Sequence, residues 1–302
     1  MNIREYKTAL TGISGVHVTA FDAAGEIEPT LTGRIVRRIA EAGVHNIVSA
    51  GNTGEFYGLR FEEVVRLQAI AVAAADGKAP ITAAVGRSLS EAIATAKSAR
   101  REGATGVMAH HPLDPFAAPV SQADYFMAIA DASELPVVAY VRSSAISAEQ
   151  LARVATHPNV AGVKFAAQDL MLLAECVRAT EGTDAIWICG LAEGWAAPFY
   201  AMGARGFTSG LVNVDPARSL AVWKALEAGD YARARALIAP IAGFELLRTR
   251  FNNGANVTVV KEALALRGDP VGPVRLPGLP ALDAADRTRL KQILAEWEKA
   301  PV

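Results

Sequence analysis

The sequence predicts an α/β chain folded as a (β/α)8 TIM barrel with a C-terminal helical extension. Eight short runs of β-branched or apolar residues recur up to Ser209, and each is followed by a segment with apolar residues at helical spacing. Parallel strands joined by helical crossovers are the economical reading of that rhythm. No glycine-rich dinucleotide loop follows the first run, since Gly25 opens no such motif, and this argues against a doubly wound sheet. From Tyr231 onward the strand signal stops. Residues 1–230 are therefore expected to form the barrel, and 231–302 a helical extension packed on it.

Taken in order, the first strand is expected over Ile13 to Thr19. Leu31, Ile35, Val36 and Ile39 then mark a helix that stops at Gly43. The following units pair strand Asn46 to Ala50 with helix Phe61 to Ala75, Pro80 to Val85 with Ser90 to Glu102, and Gly106 to His110 with Gln122 to Ala132. Next come Pro136 to Tyr140 with Ala148 to Thr156, and Val160 to Phe165 with Leu170 to Ala179. Ala185 to Cys189 precedes helix Trp195 to Met202, and Gly206 to Ser209 precedes helix Pro216 to Ala228.

With 302 residues, 51% of them apolar, the chain can bury a sizeable core. Thirty basic residues against 31 acidic ones leave a charge of -1, which gives no basis for a nucleic-acid or membrane partner. Cys176 and Cys189 form no metal or disulfide pattern, as expected in a reducing cytoplasm. Met1 to Leu10 carries Arg4, Glu5 and Lys7 with no apolar stretch of signal-peptide length, and no run is long enough to span a bilayer.

In a barrel of this kind, polar residues just after strands are the functional candidates. Lys164 lies in the apolar run Val160 to Phe165, where an ammonium is costly and tends to lose its proton; a neutral amine there can attack a carbonyl and form a Schiff base with a 2-oxo acid. The alternative is a strand-end lysine that snorkels to solvent. After the second strand, Gly51-Asn52-Thr53-Gly54 brings backbone amides and a hydroxyl toward an anion, unless it is an ordinary glycine turn. Tyr140 ends the fifth strand and is placed to relay protons, and Arg142 to hold a second carboxylate. The eighth strand ends in Thr208-Ser209-Gly210-Leu211-Val212-Asn213, suited to substrate hydroxyl groups. Glu55 is read as a structural cap, and the run Arg248 to Asn253 as a solvated helix face or a subunit contact. His110 and His111 are the only close histidine pair, and neighbours on a strand face opposite ways, so no metal is expected; either one is a candidate substrate contact.

GNTGEFYGL after the second strand, the strand-ending Tyr140, GVKFAAQDL around Lys164, and KEALALRG followed by GPVRLPGL together resemble the dihydrodipicolinate synthase/N-acetylneuraminate lyase superfamily, from about Gly12 to Leu279. The resemblance implies that Lys164 forms the imine, Tyr140 relays protons, and Thr53 with neighbouring amides grips the substrate carboxylate. It also implies a homotetramer or dimer, and no cofactor is expected. The synthase pattern has a second threonine at Asn52, a serine at Phe56, an arginine at Ala145 and tyrosines in the region of His110 and His111. In these departures the chain looks closer to the 5-dehydro-4-deoxyglucarate dehydratase branch, through GxTGEF, Tyr-x-Arg, Ser209 with Asn213, and Gly272-Pro273-Val274-Arg275.

The expected reaction starts with attack of Lys164 on a C2 keto group, after which the protonated imine accepts the electrons of a C3 carbanion. Expulsion of a C4 hydroxyl from the enamine gives dehydration, with or without loss of carbon dioxide, on a 2-oxo-3-deoxy sugar acid such as 5-dehydro-4-deoxyglucarate. Deprotonation of that hydroxyl instead gives retro-aldol cleavage to pyruvate, the alternative that includes a dihydrodipicolinate synthase-like condensation. A barrel that binds 2-oxo acids without catalysis is the remaining alternative.

Overall fold

Short apolar runs such as Val137–Val141 and Val160–Phe165 are buried along their whole length, because one face fills a barrel and the other packs on helices. In this computed structural model, which describes residues 1–300 and Val302, eight parallel strands close in chain order and the last pairs with the first. They are β1 (Ile13–Val16), β2 (Asn46–Ser49), β3 (Ile81–Val85), β4 (Gly106–Ala109), β5 (Val137–Val141), β6 (Val160–Phe165), β7 (Trp187–Cys189) and β8 (Phe207–Ser209). The chain is a (β/α)8 barrel with helices beyond it.

Helix α1 (Ile3–Leu10) precedes the first strand. The crossovers are α2 (Pro29–Glu41), α3 (Phe61–Ala75), α4 (Leu89–Glu102), α5 (Pro119–Ala132), α6 (Ala148–Ala155), α7 (Leu170–Ala179), α8 (Glu193–Ala201) and α9 (Pro216–Glu227). After them come α10 (Tyr231–Ile238), α11 (Ala242–Asn253), α12 (Asn256–Leu266) and α13 (Ala284–Lys299). The spacing of apolar residues marks α3 and α7 to the residue. Their ends follow local chemistry, as elsewhere in the barrel: Ser147 and Gln150 form a capping box at α6, and Gly103, at φ +89°, ends α4. No described helix is long and apolar enough to cross a membrane.

Several element ends differ from the sequence expectation by a few residues, as where α5 begins at Pro119 and β7 at Trp187, and two differences matter for the barrel. Strand β1 stops at Val16 rather than Thr19, because the Val18 N–H turns to the side-chain oxygen of Asn213 (3.0 Å) instead of a neighbouring strand. Helix α1 has no counterpart in the expected elements; it closes the amino-terminal mouth of the barrel. Its Tyr6 is buried, with its hydroxyl 2.5 Å from Thr82 Oγ1, and its ring occupies the space where a side chain on Gly106 would stand. The barrel is therefore filled from below and open only at the carboxyl ends of its strands.

Side chains alternate across each strand, so Val163 and Phe165 join the outer apolar layer while Lys164 points into the barrel. Helices α11 to α13 bury Phe244, Val259, Val260 and Trp297 in that same outer layer. Arg218 of α9, buried, donates to the carbonyls of Trp297 (3.0 Å) and Ala300 (2.8 Å), which fastens the end of α13 to the barrel helices.

Candidate active site

A cavity of about 900 Å³ opens at the carboxyl ends of the strands. Lys164 reaches it from β6 and Tyr140 from β5, and the ladder register pairs these two residues directly. The amine lies 3.9 Å from the centre of the Tyr140 ring. Burial, helped by the nearby Arg142 guanidinium, lowers the Lys164 pKa to about 7. Near neutral pH a large fraction of the amine is therefore unprotonated and nucleophilic. The Tyr140 hydroxyl accepts a hydrogen bond from Asn52 Nδ2 at 3.0 Å, and burial raises its pKa, so the phenol stays protonated and able to donate.

Asn52 and Thr53 line the cavity from the turn after β2. Gly54 does not. Its carbonyl accepts from the Thr19 hydroxyl (2.7 Å), and a Cβ there would meet the His17 carbonyl at 3.0 Å, so it serves the turn's close packing. The turn is held from behind by Glu55, buried at φ +65°, whose Oε1 lies 2.5 Å from Lys261 Nζ and whose Oε2 accepts from the Arg275 N–H at 2.8 Å. Arg275 in turn binds Glu63 through both guanidinium Nη atoms (3.0 and 2.8 Å). Lys261 and Arg275 both stand over the Phe21 ring, 4.3 and 4.1 Å from its centre.

His110 stacks on Phe56 at 4.2 Å and is kept neutral by burial and by the charge on Lys164. The His111 carbonyl accepts from the Tyr57 hydroxyl. Neither histidine is among the residues lining the cavity, although the His110 ring lies 5.4 Å from that of Tyr140. Among the described residues, no three His, Cys, Asp or Glu side chains cluster as metal ligands.

Ser209 and Gly210 border the cavity, whereas Asn213 is withdrawn from it. Its amide group is committed to the backbone, accepting from Val18 and donating to the carbonyls of Val16 and Gly210 (2.8 Å each). Ser209 and Ser219 both donate to Glu193 Oε1 at 2.5 Å. Burial, and next the charge of Glu245, raise the Glu193 pKa, opposed by the two serines and Arg248. Arg142 lines the exposed rim and has no carboxylate against its guanidinium among the described residues.

The largest correction concerns Arg248. It is 5% exposed rather than on a solvated face, and it lines the cavity together with Glu245 and Asn252. The helix after β7 begins at Glu193 rather than Trp195, and Glu193 is buried behind the cavity, where it holds Ser209 of the lining. Helix α11 breaks near its end, with Phe251 and Asn252 at φ +54°, which brings Asn252 and Asn253 to the cavity mouth.

The profile of the Dihydrodipicolinate synthetase family matches residues 9–297. The chain belongs to this family. A 4-hydroxy-tetrahydrodipicolinate synthase of Methanoculleus marisnigri is 33% identical over 264 residues, 86% of this chain and 89% of that protein. The crystal structure of dihydrodipicolinate synthase from Oceanobacillus iheyensis superposes with a TM-score of 0.95 at 33% identity, covering 99% of this chain and 100% of the other. YagE, a prophage protein of the same family from E. coli K12 solved in complex with pyruvate, has a TM-score of 0.84 at 26% identity, with 95% and 98% coverage. Family membership makes the chain an enzyme, a class I lyase of the aldolase type.

Proposed function

We propose that Lys164 forms an imine with the keto carbon of a 2-oxo acid and that the enzyme makes or breaks the carbon–carbon bond at C3 of that acid. The observation that carries this reading is the buried Lys164 amine, with its pKa near 7, facing an open cavity beside the Tyr140 phenol. Asn52 orients that phenol, Thr53 and its neighbouring amides receive the carboxylate next to the keto group, and Tyr140 shuttles the proton as the carbinolamine loses water. The synthase names of the relatives and the pyruvate in YagE support carbon–carbon chemistry with a pyruvate unit.

A second reading, dehydration of a 5-dehydro-4-deoxyglucarate-like acid, is favoured by Arg142. This cation at the cavity rim suits a distal carboxylate, and the position where the synthase pattern has its arginine is Ala145. Both readings share the imine. Borohydride reduction with pyruvate should add one pyruvate unit to the intact mass of the wild type and nothing to Lys164→Ala. Product analysis with 5-dehydro-4-deoxyglucarate then separates pyruvate release from water loss. An unmodified wild type would reject the imine.

A further inference from the structure

The cavity has two unlike sides. Beyond β5 and β6 it is lined by Arg142, Ser144 and Gln168, all polar. Beyond β7 it is lined by Leu191 and Trp195, and the later helices extend that wall with Ile238 of α10 and Ala242 and Leu246 of α11. Helix α8, which carries Trp195, packs against α10. On α11 the cavity residues Ala242, Glu245, Leu246 and Thr249 recur at i, i+3, i+4 and i+7, so one face of that helix looks into the cavity. Leu246 is 68% exposed. A lone exposed leucine is ordinary, but one that shares a cavity wall with Trp195 and Ile238 marks a place for an apolar ligand group.

The polar groups on this wall are satisfied within it. Both Glu245 oxygens accept from Arg248 Nη1 (2.8 and 3.0 Å), and the Thr249 hydroxyl donates to the Leu246 carbonyl (2.9 Å). The wall therefore carries no net charge that would hold a carboxylate. Trp195 meets Phe199 edge-on, with ring centres 6.3 Å apart at 88°, which fixes its indole as a flat surface. The cavity volume of about 900 Å³ lies near the upper end of the roughly 300–1,000 Å³ usual for small-molecule sites, so a pyruvate unit on Lys164 leaves room for a bulky remainder.

We propose that Leu191, Trp195, Ile238, Ala242 and Leu246 receive a flat apolar group attached at C4, so that the aldehyde joined to or released from the pyruvate unit is an aromatic or similarly apolar one. The inference rests on the imine reading above and on its carbon–carbon branch. In cleavage the C4 hydroxyl loses its proton, the C3–C4 electron pair passes into the imine, and C4 leaves as the aldehyde carbon along this wall. The enamine left on Lys164 takes up a proton at C3, and water then releases pyruvate. Trp195 and Leu246 are specificity residues; the bond changes remain with Lys164.

The test uses two 2-oxo acids that lack a C4 hydroxyl and so bind without being cleaved: 2-oxo-4-phenylbutanoate, with an apolar ring, and 2-oxoadipate, with a distal carboxylate. Each competes with pyruvate for borohydride trapping on Lys164 in the wild type, Trp195→Ala and Leu246→Gln. Apolar pockets discriminate by roughly tenfold or more for each methylene-sized group they fill, so the wild type should prefer the phenyl acid to 2-oxoadipate by about tenfold or more. In each variant that preference should fall by about threefold or more. Equal or better competition by 2-oxoadipate in the wild type would overturn the apolar subsite, as would an undiminished preference in the folded variants. Leu246 is exposed, so Leu246→Gln and the wild-type comparison still decide if Trp195→Ala does not fold. A smaller sedimenting mass for Leu246→Gln with the preference intact would assign the wall to a second copy of the chain and also overturn the proposal. Failure of pyruvate itself to be trapped by the wild type would instead remove the imine reading, so the two failures are distinguishable.

Discussion

Lys164 holds its amine near neutrality because burial removes water from the ammonium and Arg142 adds a like charge close by. Only the unprotonated amine attacks a carbonyl, so the rate of imine formation should rise with pH and level off above the Lys164 pKa. Removing the Arg142 guanidinium takes away a cation that disfavours protonation, so the pKa must move up. In Arg142→Ala the half-maximal pH for pyruvate trapping should therefore lie above the wild-type value of about 7; an unmoved midpoint would show that the two side chains are not coupled. Pyruvate has no distal carboxylate, so this measurement isolates the electrostatic effect from distal binding. At the residue scale, Lys164 was legible because a Val/Gly run is a costly place for an ammonium, and a lysine kept there signals use of the neutral amine. Arg248 was not. An arginine near a helix end looks the same in sequence whether it faces water or a cavity, and only its contacts with Glu245, Asn256 and Gly210 distinguish the cases.

Among the elements, the turn after β2 depends on a support contributed from far along the chain. Glu55 and Lys261 are both buried, and removing one partner of such a pair leaves an uncompensated charge that typically costs about 3–5 kcal/mol. Lys261→Met should lower unfolding stability by roughly that amount in a denaturant titration. A loss within the range of an exposed ion pair, under about 1 kcal/mol, would mean that the pair does not hold the turn. The elements themselves were unevenly legible. Helices α3 and α7 show sustained apolar spacing and were readable to their ends, whereas α1 is one short helix in which only Tyr6 and Leu10 are buried. The end of β1 is set by Asn213, nearly two hundred residues away, and no local pattern announces it.

At the level of the whole molecule, α11 to α13 share the outer apolar layer with the barrel helices, and the Arg218 bonds to Trp297 and Ala300 cross between them. A shared core predicts cooperative melting, so calorimetry should show one transition whose calorimetric and van't Hoff enthalpies agree. Two separated transitions would instead make the residues after Tyr231 an independent unit. The sequence alone determined the barrel, because eight alternations of strand and helix period leave few other ways to bury both faces of short apolar runs. It also singled out Lys164, Tyr140 and the glycine turn as site candidates, because each sits at a strand's carboxyl end, where the fold class directs attention. Only the tertiary structure decided that Gly54 and Asn213 serve the scaffold, and that Arg248 lines the cavity rather than a solvated face. The reason is physical: periodicity reports which way a side chain faces within its own element. Which distant residues share a cavity depends on barrel closure and on how the following helices pack across its mouth.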